Sequence, residues 1–489
     1  TAEYRLSNTS LTGEVQVDLT NAENVGTVEL TGQGAYNLIE TSTDINAGTA
    51  KGPITITTRL DTADTIEVIA GENLLTVDAA NGGDVVTIEA ANLIDDFNDA
   101  EISGFTVNGN DASNDDYELT VEGLGSVAVN DLGADLDAST LTGDLSVELQ
   151  GRSQIRANTA GDFDDVDIKL GSANIDINTR TTDATDVTLD ANAVSSGNAI
   201  TIGGAGAAEV FNVNDNVTVD AQTGVNGDSM TGELDVFTGS LGTGDEVFVK
   251  TGSAQATVVG DGASDATVRV ASNNLVQAAG NNNNDLILRG TTAFVVTALS
   301  ADLMAADSTG EIDVTTADDA NTDTLDVTTG SGDFTLTGSD TSDTLLVNAD
   351  ELTAGATLVL DGGSITTVSN VASGVTVDAD GDGSGAALAG VLTVNVDASA
   401  TSVNVLTGDA ATTVNTSTGG DVTVNATALD DDTLLTLTGA ASATDTGLIG
   451  DVDASGLSGA LDVTTANNSA ADEIVIELGS GLTSIDAYV

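Results

Sequence analysis

The sequence has no cysteine and no histidine among its 489 residues. These absences exclude disulfides, thiolate and imidazole metal sites, and catalysis by either residue. Tryptophan is also absent, Pro53 is the single proline, and aromatic residues make up 2%. Large globular cores normally contain aromatic side chains, so the abundant Val, Leu, Ile and Ala predict a thin core. No apolar run reaches about 18 residues, so we expect no membrane-spanning helix.

Basic residues are scarce as well. Lys plus Arg number 10 against 78 Asp plus Glu, which gives a net charge of −68. This balance disfavours nucleic acid and anionic membranes as partners. The chain is nevertheless 40% hydrophobic, with regular β-branched patterning that is untypical of disorder. We therefore expect a folded chain whose repulsion is offset by cations, most efficiently divalent ones. Because Thr1 follows no signal-like segment, we expect a processed product or a fragment.

Short alternating strands recur about every ten residues, separated by Gly, Asp, Asn, Ser or Thr. Acidic residues that open strands fall at Asp144, Asp165 and Asp186, in steps of 21. Such spacing fits two strands per coil, and three strands per coil of about 30 residues is the other possibility. We therefore predict an all-β fold: one elongated, continuous parallel β-solenoid over residues 1–489, β-helix-like or β-roll-like, with about 10 residues per strand-turn unit.

A string of β-sandwich domains is the competing interpretation, because it also shows strands every 8–12 residues or so. Sandwiches usually contain a buried Trp or Tyr and proline-bearing linkers, and we expect neither here, because Trp is absent, Tyr numbers 4 and Pro53 is the single proline. Two segments interrupt the rhythm. Residues 93–118 are acidic and rich in Asn, and residues 297–307 are helix-like, with Ser300 as a candidate N-cap. We expect both to be loops or seams.

The sharpest chemical motif is DADGDG at residues 378–383. Asp378, Asp380 and Asp382 occupy alternate positions of a tight loop, which is the arrangement of hard oxygen ligands that Ca²⁺ prefers. The Glu that completes an EF-hand loop is missing, because Ala389 stands in its place. The motif predicts a calcium site completed from the backbone or the next coil; the alternative is an acidic surface turn.

Three further segments resemble the glycine- and aspartate-rich nonapeptide repeat of RTX proteins. They are GSDTSDTLL from Gly338, GNNNNDLIL from Gly280 and GDGASDATV from Gly260. In that family the sixth-position Asp binds calcium in a parallel β-roll. The resemblance implies the following candidate ligands: Asp343 with Asp340, Asp285 with Asn283, and Asp265 with Asp261.

The wider chain resembles β-strand-repeat surface proteins of Gram-negative bacteria, including S-layer proteins. Segments such as VDASGLSGALDVTT at 452–465 and VTVNATALDDDTLLTLTGA at 422–440 have the composition of that group, which is rich in Ala, Thr, Val, Gly and Asp and free of Cys. The resemblance implies a secreted, cell-surface protein that assembles with copies of itself into a layer, sheath or filament and needs Ca²⁺. A cell-surface polysaccharide is a further expected partner.

Two other functions stay open: the repetitive stalk of a calcium-dependent adhesin, and a β-helix polysaccharide-cleaving enzyme. We expect no enzyme, because without His and with few basic residues little can act as a general base near neutral pH. Three basic residues, Lys250, Arg269 and Arg289, are spaced by 19 and 20, and this spacing predicts that they stack on one face. We interpret them as partners of carboxylates on neighbouring coils. An ice-binding face of threonine rows is disfavoured, because no regular T-x-T register persists along the sequence.

Overall fold

The protein is represented by a computed structural model. It describes residues 2–10, 13–20, 25–59, 65–70, 75–80, 85–89, 119–123, 126–132, 136–142, 145–149, 165–179, 186–203, 208–213, 217–221, 230–231, 233–238, 241, 243, 246–260, 266–272, 285–318, 324–381, 387–416, 420–430, 433–466 and 474–487. The chain forms two compact units. The first comprises Thr1–Leu241 with Glu246–Ala254, and the second comprises Gly242–Asp245 with Gln255–Val489.

The first unit contains strands β1 to β21. They are β1 (Ala2–Asn8), β2 (Val15–Asp18), β3 (Val25–Gly32), β4 (Tyr36–Thr41), β5 (Asp44–Ala50), β6 (Ile54–Thr58), β7 (Thr65–Ile69), β8 (Leu75–Ala79), β9 (Val85–Glu89), β10 (Leu119–Gly123), β11 (Ser126–Leu132), β12 (Leu136–Asp137), β13 (Leu145–Leu149), β14 (Asp165–Lys169), β15 (Ile175–Asn178), β16 (Asp186–Asp190), β17 (Ala199–Gly203), β18 (Ala208–Val213), β19 (Thr218–Asp220), β20 (Leu234–Thr238) and β21 (Glu246–Lys250).

The second unit contains strands β22 to β43. They are β22 (Ala256–Gly260), β23 (Thr267–Ala271), β24 (Leu286–Gly290), β25 (Ala293–Leu299), β26 (Leu303–Met304), β27 (Ile312–Thr316), β28 (Thr324–Thr328), β29 (Phe334–Gly338), β30 (Thr344–Asn348), β31 (Thr357–Gly362), β32 (Ile365–Val371), β33 (Thr376–Asp378), β34 (Leu392–Val396), β35 (Ser402–Leu406), β36 (Thr412–Thr416), β37 (Asp421–Asn425), β38 (Leu434–Gly439), β39 (Ala443–Leu448), β40 (Asp451–Asp453), β41 (Leu461–Thr465), β42 (Ile476–Glu477) and β43 (Thr483–Asp486).

Within each unit, every strand pairs in parallel with the strand two positions later in the chain. The odd-numbered strands therefore form one sheet, the odd sheet, and the even-numbered strands form a second, the even sheet. Each turn of the solenoid holds two strands and about 21 residues. The coils are irregular in length: Thr324 pairs with Thr344, 20 residues on, whereas Thr376 pairs with Asn404, 28 residues on. A uniform unit of about 10 residues is therefore not confirmed.

The core lies between the odd and even sheets and is built almost entirely from aliphatic side chains. In β29 and β36 alternate residues are buried and half-buried, because successive side chains of a strand point to opposite faces. The largest fully buried side chains include Tyr36, Phe294 and Phe334. Leu, Val and Ile form most of the remaining core. This composition confirms the thin aliphatic core expected from the sequence.

Several strands contain a bulge whose residue adopts a left-handed backbone. Glu40, Asn212, Ala298 and Asn370 have φ of 54°, 57°, 55° and 60°, and each lies where the register with the next strand shifts. The Asn370 amide donates to Asn348 Oδ1 at 2.9 Å in the preceding coil. Asn tolerates this backbone because its short polar side chain can bond locally. The bulge thus absorbs one extra residue without disturbing the inward alternation.

The structure decides several sequence predictions. The parallel solenoid with two strands per coil is confirmed within each unit; the sandwich alternative and three strands per coil are wrong for the described strands. The interpretation of residues 297–307 as helix-like is also wrong, because that segment contains the end of β25 and all of β26. Residues 93–118 lie outside the described part, and continuity over 1–489 stays a prediction. No helix in the described ranges is long and apolar enough to cross a membrane.

Candidate functional site: acidic turns, charged columns and an uncharged face

Many strands end in the same acidic turn. A side-chain oxygen of Asp or Asn, at or just beyond the strand end, accepts hydrogen bonds from the N–H and the hydroxyl of the residue two positions later. In the turn after β29, Asp340 Oδ1 accepts from Ser342 N at 2.8 Å and from Ser342 Oγ at 2.7 Å. The same turn occurs at Asp18–Thr20, Asp137–Ser139, Asp397–Ser399, Asn425–Thr427 and Asp453–Ser455.

These hydrogen bonds favour the ionised carboxylate. The backbone N–H and then the hydroxyl of Ser342 lower the pKa of Asp340. At Asp397 the hydroxyl of Ser399 is the larger cause of the lowered pKa. After β12, β37 and β40 a buried Leu closes the turn, as when Leu457 N donates to Ala454 O at 2.9 Å. The D-A-S-x-L sequences at 137–141 and 453–457 therefore have a structural role in the turns, which needs no metal.

The predicted site at DADGDG begins as the same turn. Asp378 ends β33, and its Oδ1 accepts from Asp380 N at 3.2 Å; both residues are half-buried, and Gly381 follows with φ of 74°. The loop is much longer than the others, because Leu388 N bonds back to Ala379 O only nine residues on, at 2.9 Å. Asp382 lies outside the described residues. The structure thus brings Asp378 and Asp380 into one extended turn.

The first unit contains a matching long turn, with one difference in charge. There Met230 N returns to Ala221 O at 2.9 Å, again nine residues on. Asp220, the counterpart of Asp378, is paired by Lys250 in the next coil, with Nζ to Oδ2 at 2.7 Å. Asp220 is 7% exposed. At Asp378 the residue in the next coil is the uncharged Leu406.

The RTX-like segments are described only in part, since Asn283, Asp265 and Asp261 lie outside the described residues. Asp343 and Asp285 occupy equivalent places, each directly before an even-sheet strand, and are 4% and 5% exposed. The backbone O of each accepts from a neighbouring coil, Asp343 from Ile365 N and Asp285 from Ala256 N. The carboxylate of Asp340 is engaged by Ser342.

Calcium requires about six to eight oxygen ligands. In the part of the chain that the structure describes, no three acidic side chains form a group that could hold a metal. The Asp340–Asp343 turn, which is fully described, therefore does not fit a calcium ion by its own side chains. The 378–382 loop keeps two carboxylates in one turn and extends beyond the described residues, so it remains the better candidate.

Parallel pairing stacks acidic residues of successive coils. Asp165 lies beside Asp186 in the even sheet of the first unit. In the second unit Asp326 N bonds to Asp302 Oδ1 at 2.8 Å; burial and then the Asp302 charge raise the pKa of Asp326. Burial and then the charge of Asp313 likewise raise the pKa of Asp361. The stacked coils therefore contain carboxylates whose ionisation is opposed by other carboxylates.

Several basic residues pair with carboxylates of neighbouring coils, as the sequence predicts. Besides Lys250 with Asp220, Arg289 Nε lies 3.4 Å from Asp307 Oδ2. The predicted stacking of the basic residues on one face is wrong, however, because Arg269 lies in β23 of the odd sheet and Arg289 in β24 of the even sheet. Their similar spacing in sequence does not reflect a common sheet, because the coils differ in length.

Asp445 was missed by sequence reasoning. It lies in β39 at an inward position, between Val424 and Val463 of the adjacent strands, and is fully buried. Neither carboxylate oxygen reaches hydrogen-bond geometry with a described residue. Burial raises its pKa to about 7, against a smaller opposing effect of the Thr446 N–H. Its place in the sequence indicates the burial, because Asp445 lies two residues after the buried Ala443 and therefore on the inward side of the strand.

The even sheet of the second unit contains an uncharged face. Its fifteen outward positions, on or directly before β30, β32, β34, β36 and β38, form three columns across the sheet. The first column is Thr344, Ile365, Val391, Ala411 and Leu434; the second is Leu346, Thr367, Thr393, Thr413 and Thr436; the third is Asn348, Ser369, Asn395, Asn415 and Thr438. Asp326 and Asp453 flank the second column at its two ends.

The third column is cross-linked by side-chain hydrogen bonds. Asn415 Nδ2 donates to Asn395 Oδ1 at 2.8 Å, and Thr438 Oγ1 donates to Asn415 Oδ1 at 2.6 Å. Leu346, Ile365, Val391 and Leu434 are 39–45% exposed. Four threonines stack in register in the second column.

No known protein family, curated protein or solved structure matches the chain. The resemblance to RTX repeats and bacterial surface proteins therefore stays an expectation from the sequence.

Proposed function

We propose that the protein is an extracellular structural protein that self-assembles into a bacterial surface layer, sheath or filament stabilised by Ca²⁺. The observation that supports this most is the pairing of acidic residues in register on adjacent strands, as at Asp165 and Asp186, in a chain of net charge −68. Such a fold is opposed by its own charge. A divalent cation that bridges carboxylates of adjacent coils or adjacent copies offsets this repulsion.

The 378–382 loop is the proposed primary calcium site. Asp378, Asp380 and Asp382 would hold the ion, which supplies the positive charge that Lys250 supplies to Asp220 in the matching turn. An elongated solenoid of about ten-residue strand-turn units is part of the same proposal. Calcium bound only by the folded form stabilises it by mass action, so the chain stays less folded at low calcium and folds after export.

The test is a calcium titration followed by far-UV circular dichroism and static light scattering together. We expect strand signal and particle mass to rise with Ca²⁺ and much less with Mg²⁺, which binds fewer protein oxygens. The double variant Asp378→Asn/Asp380→Asn is expected to shift the midpoint to higher calcium. The matched control Asp397→Asn/Asp453→Asn removes the same charge from two short turns and should shift it less.

The outcomes separate the alternatives. Strand signal that rises while the mass stays at one chain supports the adhesin stalk. If neither signal changes, the calcium-dependent function is contradicted and only the solenoid stands. Cleavage of pectin or alginate that disappears on mutation of one carboxylate pair would support the enzyme alternative.

A further inference from the structure

The uncharged face is an exception in this acidic chain. Its fifteen outward positions contain no Asp, Glu, Lys or Arg, although Asp and Glu number 78 in 489 residues. The odd sheet of the same unit exposes Asp313, Asp421 and Asp462 on its outward side. On the uncharged face, four large aliphatic side chains are 39–45% exposed. A surface that combines apolar side chains with an absence of charge is typical of a contact surface.

The face has a regular relief. Adjacent strands lie about 4.8 Å apart, and outward residues within a strand lie about 6.6 Å apart. The side chains are mainly β-branched or amide-bearing, and hydrogen bonds along the third column stiffen it. Such rows interdigitate best with another sheet of the same spacing, as in sheet-on-sheet packing and steric zippers.

We propose that a second copy of this chain docks on the uncharged face through its own uncharged face. The two copies are related by a two-fold axis that passes near Thr393, the central residue of the second column. This inference rests on the proposed self-assembly and specifies the contact that it uses.

Charge favours a second copy over other occupants. Two molecules of net charge −68 repel wherever their acidic surfaces meet, and this face allows approach without bringing carboxylates together. A self-complementary patch is also what a two-fold contact requires. Moreover, the partner needs the same strand spacing, which another copy of the face supplies.

The size of the face predicts a weak contact. Five strands by three outward positions cover roughly 480 Å² per copy from the sheet spacings, which is well below the ~800 Å² per partner of a stable interface. One such contact is therefore transient in solution, and many of them in an assembly reinforce each other. Because the surrounding carboxylates repel, association should strengthen with added salt.

The absence of cysteine allows a direct test. Thr393→Cys introduces a single thiol at the proposed axis, and Thr423→Cys introduces one on the outward side of the odd sheet as the control. Each variant is oxidised without calcium in about 0.5 M NaCl, which screens the surface carboxylates. Disulfide-linked dimer is followed on non-reducing gels. We expect Thr393→Cys to cross-link about tenfold faster, because docking raises the effective concentration of the thiols.

A second substitution checks that the face causes the docking. Thr413→Asp in the Thr393→Cys background places like charges in the contact and should reduce the cross-linking rate to that of the control. Thr423→Asp in the same background adds the same charge elsewhere and should leave the rate unchanged. Circular dichroism of each variant verifies that the strand signal is retained.

Equal cross-linking of Thr393→Cys and Thr423→Cys would overturn the inference, even if calcium still assembles the chain. Cross-linking at Thr393 without any calcium-driven assembly would instead support the inference and contradict the proposed function. Binding to an insoluble neutral polysaccharide, or inhibition of ice growth, that Thr413→Asp removes in a chain that does not cross-link would assign the face to that ligand instead.

Discussion

Asp445 should make the second unit less stable as the pH rises. Its side chain is fully buried, between Val424 and Val463 of the neighbouring strands. Its two oxygens lack hydrogen-bond partners among the described residues. Replacing it with valine, the residue its neighbours use, removes a buried acid and keeps a side chain that suits the column.

The sign and magnitude follow from the pKa. Burial raises the pKa of Asp445 from 3.8 to about 7, so the folded chain binds this proton more tightly than the unfolded chain does. Stability is therefore lost as the pH rises between about 4 and about 7, and the full penalty is present above that range. A pKa difference of about three corresponds to about 4 kcal/mol, at 1.36 kcal/mol for each pKa unit.

The assay is urea unfolding by circular dichroism at pH about 5 and about 8. It is combined with hydrogen exchange of β37 to β41, because solenoid stability is a sum of local coil terms. Asp445→Val should gain up to about 4 kcal/mol at the higher pH and lose the pH dependence. Asp445→Asn should lose the pH dependence but gain less, because an unpaired buried amide costs about 1–3 kcal/mol.

The matched control is Asp462→Asn, which removes one charge from an exposed outward position in the next strand. It should change stability little and similarly at both pH values. If Asp445→Val and Asp462→Asn respond identically across the pH range, the carboxylate of Asp445 does not carry the penalty and the reasoning is refuted.

Two further predictions concern the backbone and the Lys250–Asp220 ion pair between neighbouring coils. Ala298→Gly should raise the free energy of unfolding in urea by about 0.5–1 kcal/mol, because Ala298 has φ of 55°, a left-handed backbone that costs non-glycine residues about 1–2 kcal/mol. Ala293→Gly in the same strand should lower it; equal effects would contradict the argument. Lys250→Met should cost about 1–3 kcal/mol by leaving Asp220 without its ammonium, and adding Asp220→Asn should recover most of this loss.

Much of the fold could be predicted from the sequence because its signals are local. Alternating residues determine which side chains face inward, and they recur in strands such as β29. The predicted cross-coil partners of Lys250 and Arg289 were correct in kind. The calcium ligands could be predicted only in part. An aspartate in a turn has the same sequence signal whether its carboxylate accepts a hydrogen bond, as Asp340 does from Ser342, or binds a metal.

The sequence by itself determined an aliphatic solenoid with acidic turns, because strand alternation and turn chemistry act over a few residues. Only the tertiary structure decided which residues stack. Thr367, Thr393, Thr413 and Thr436 lie 26, 20 and 23 residues apart and still share one column. Turn lengths vary from coil to coil, so sequence spacing does not specify register. The inter-strand hydrogen bonds align the coils, and they place the threonines in one row and Asp445 in the core.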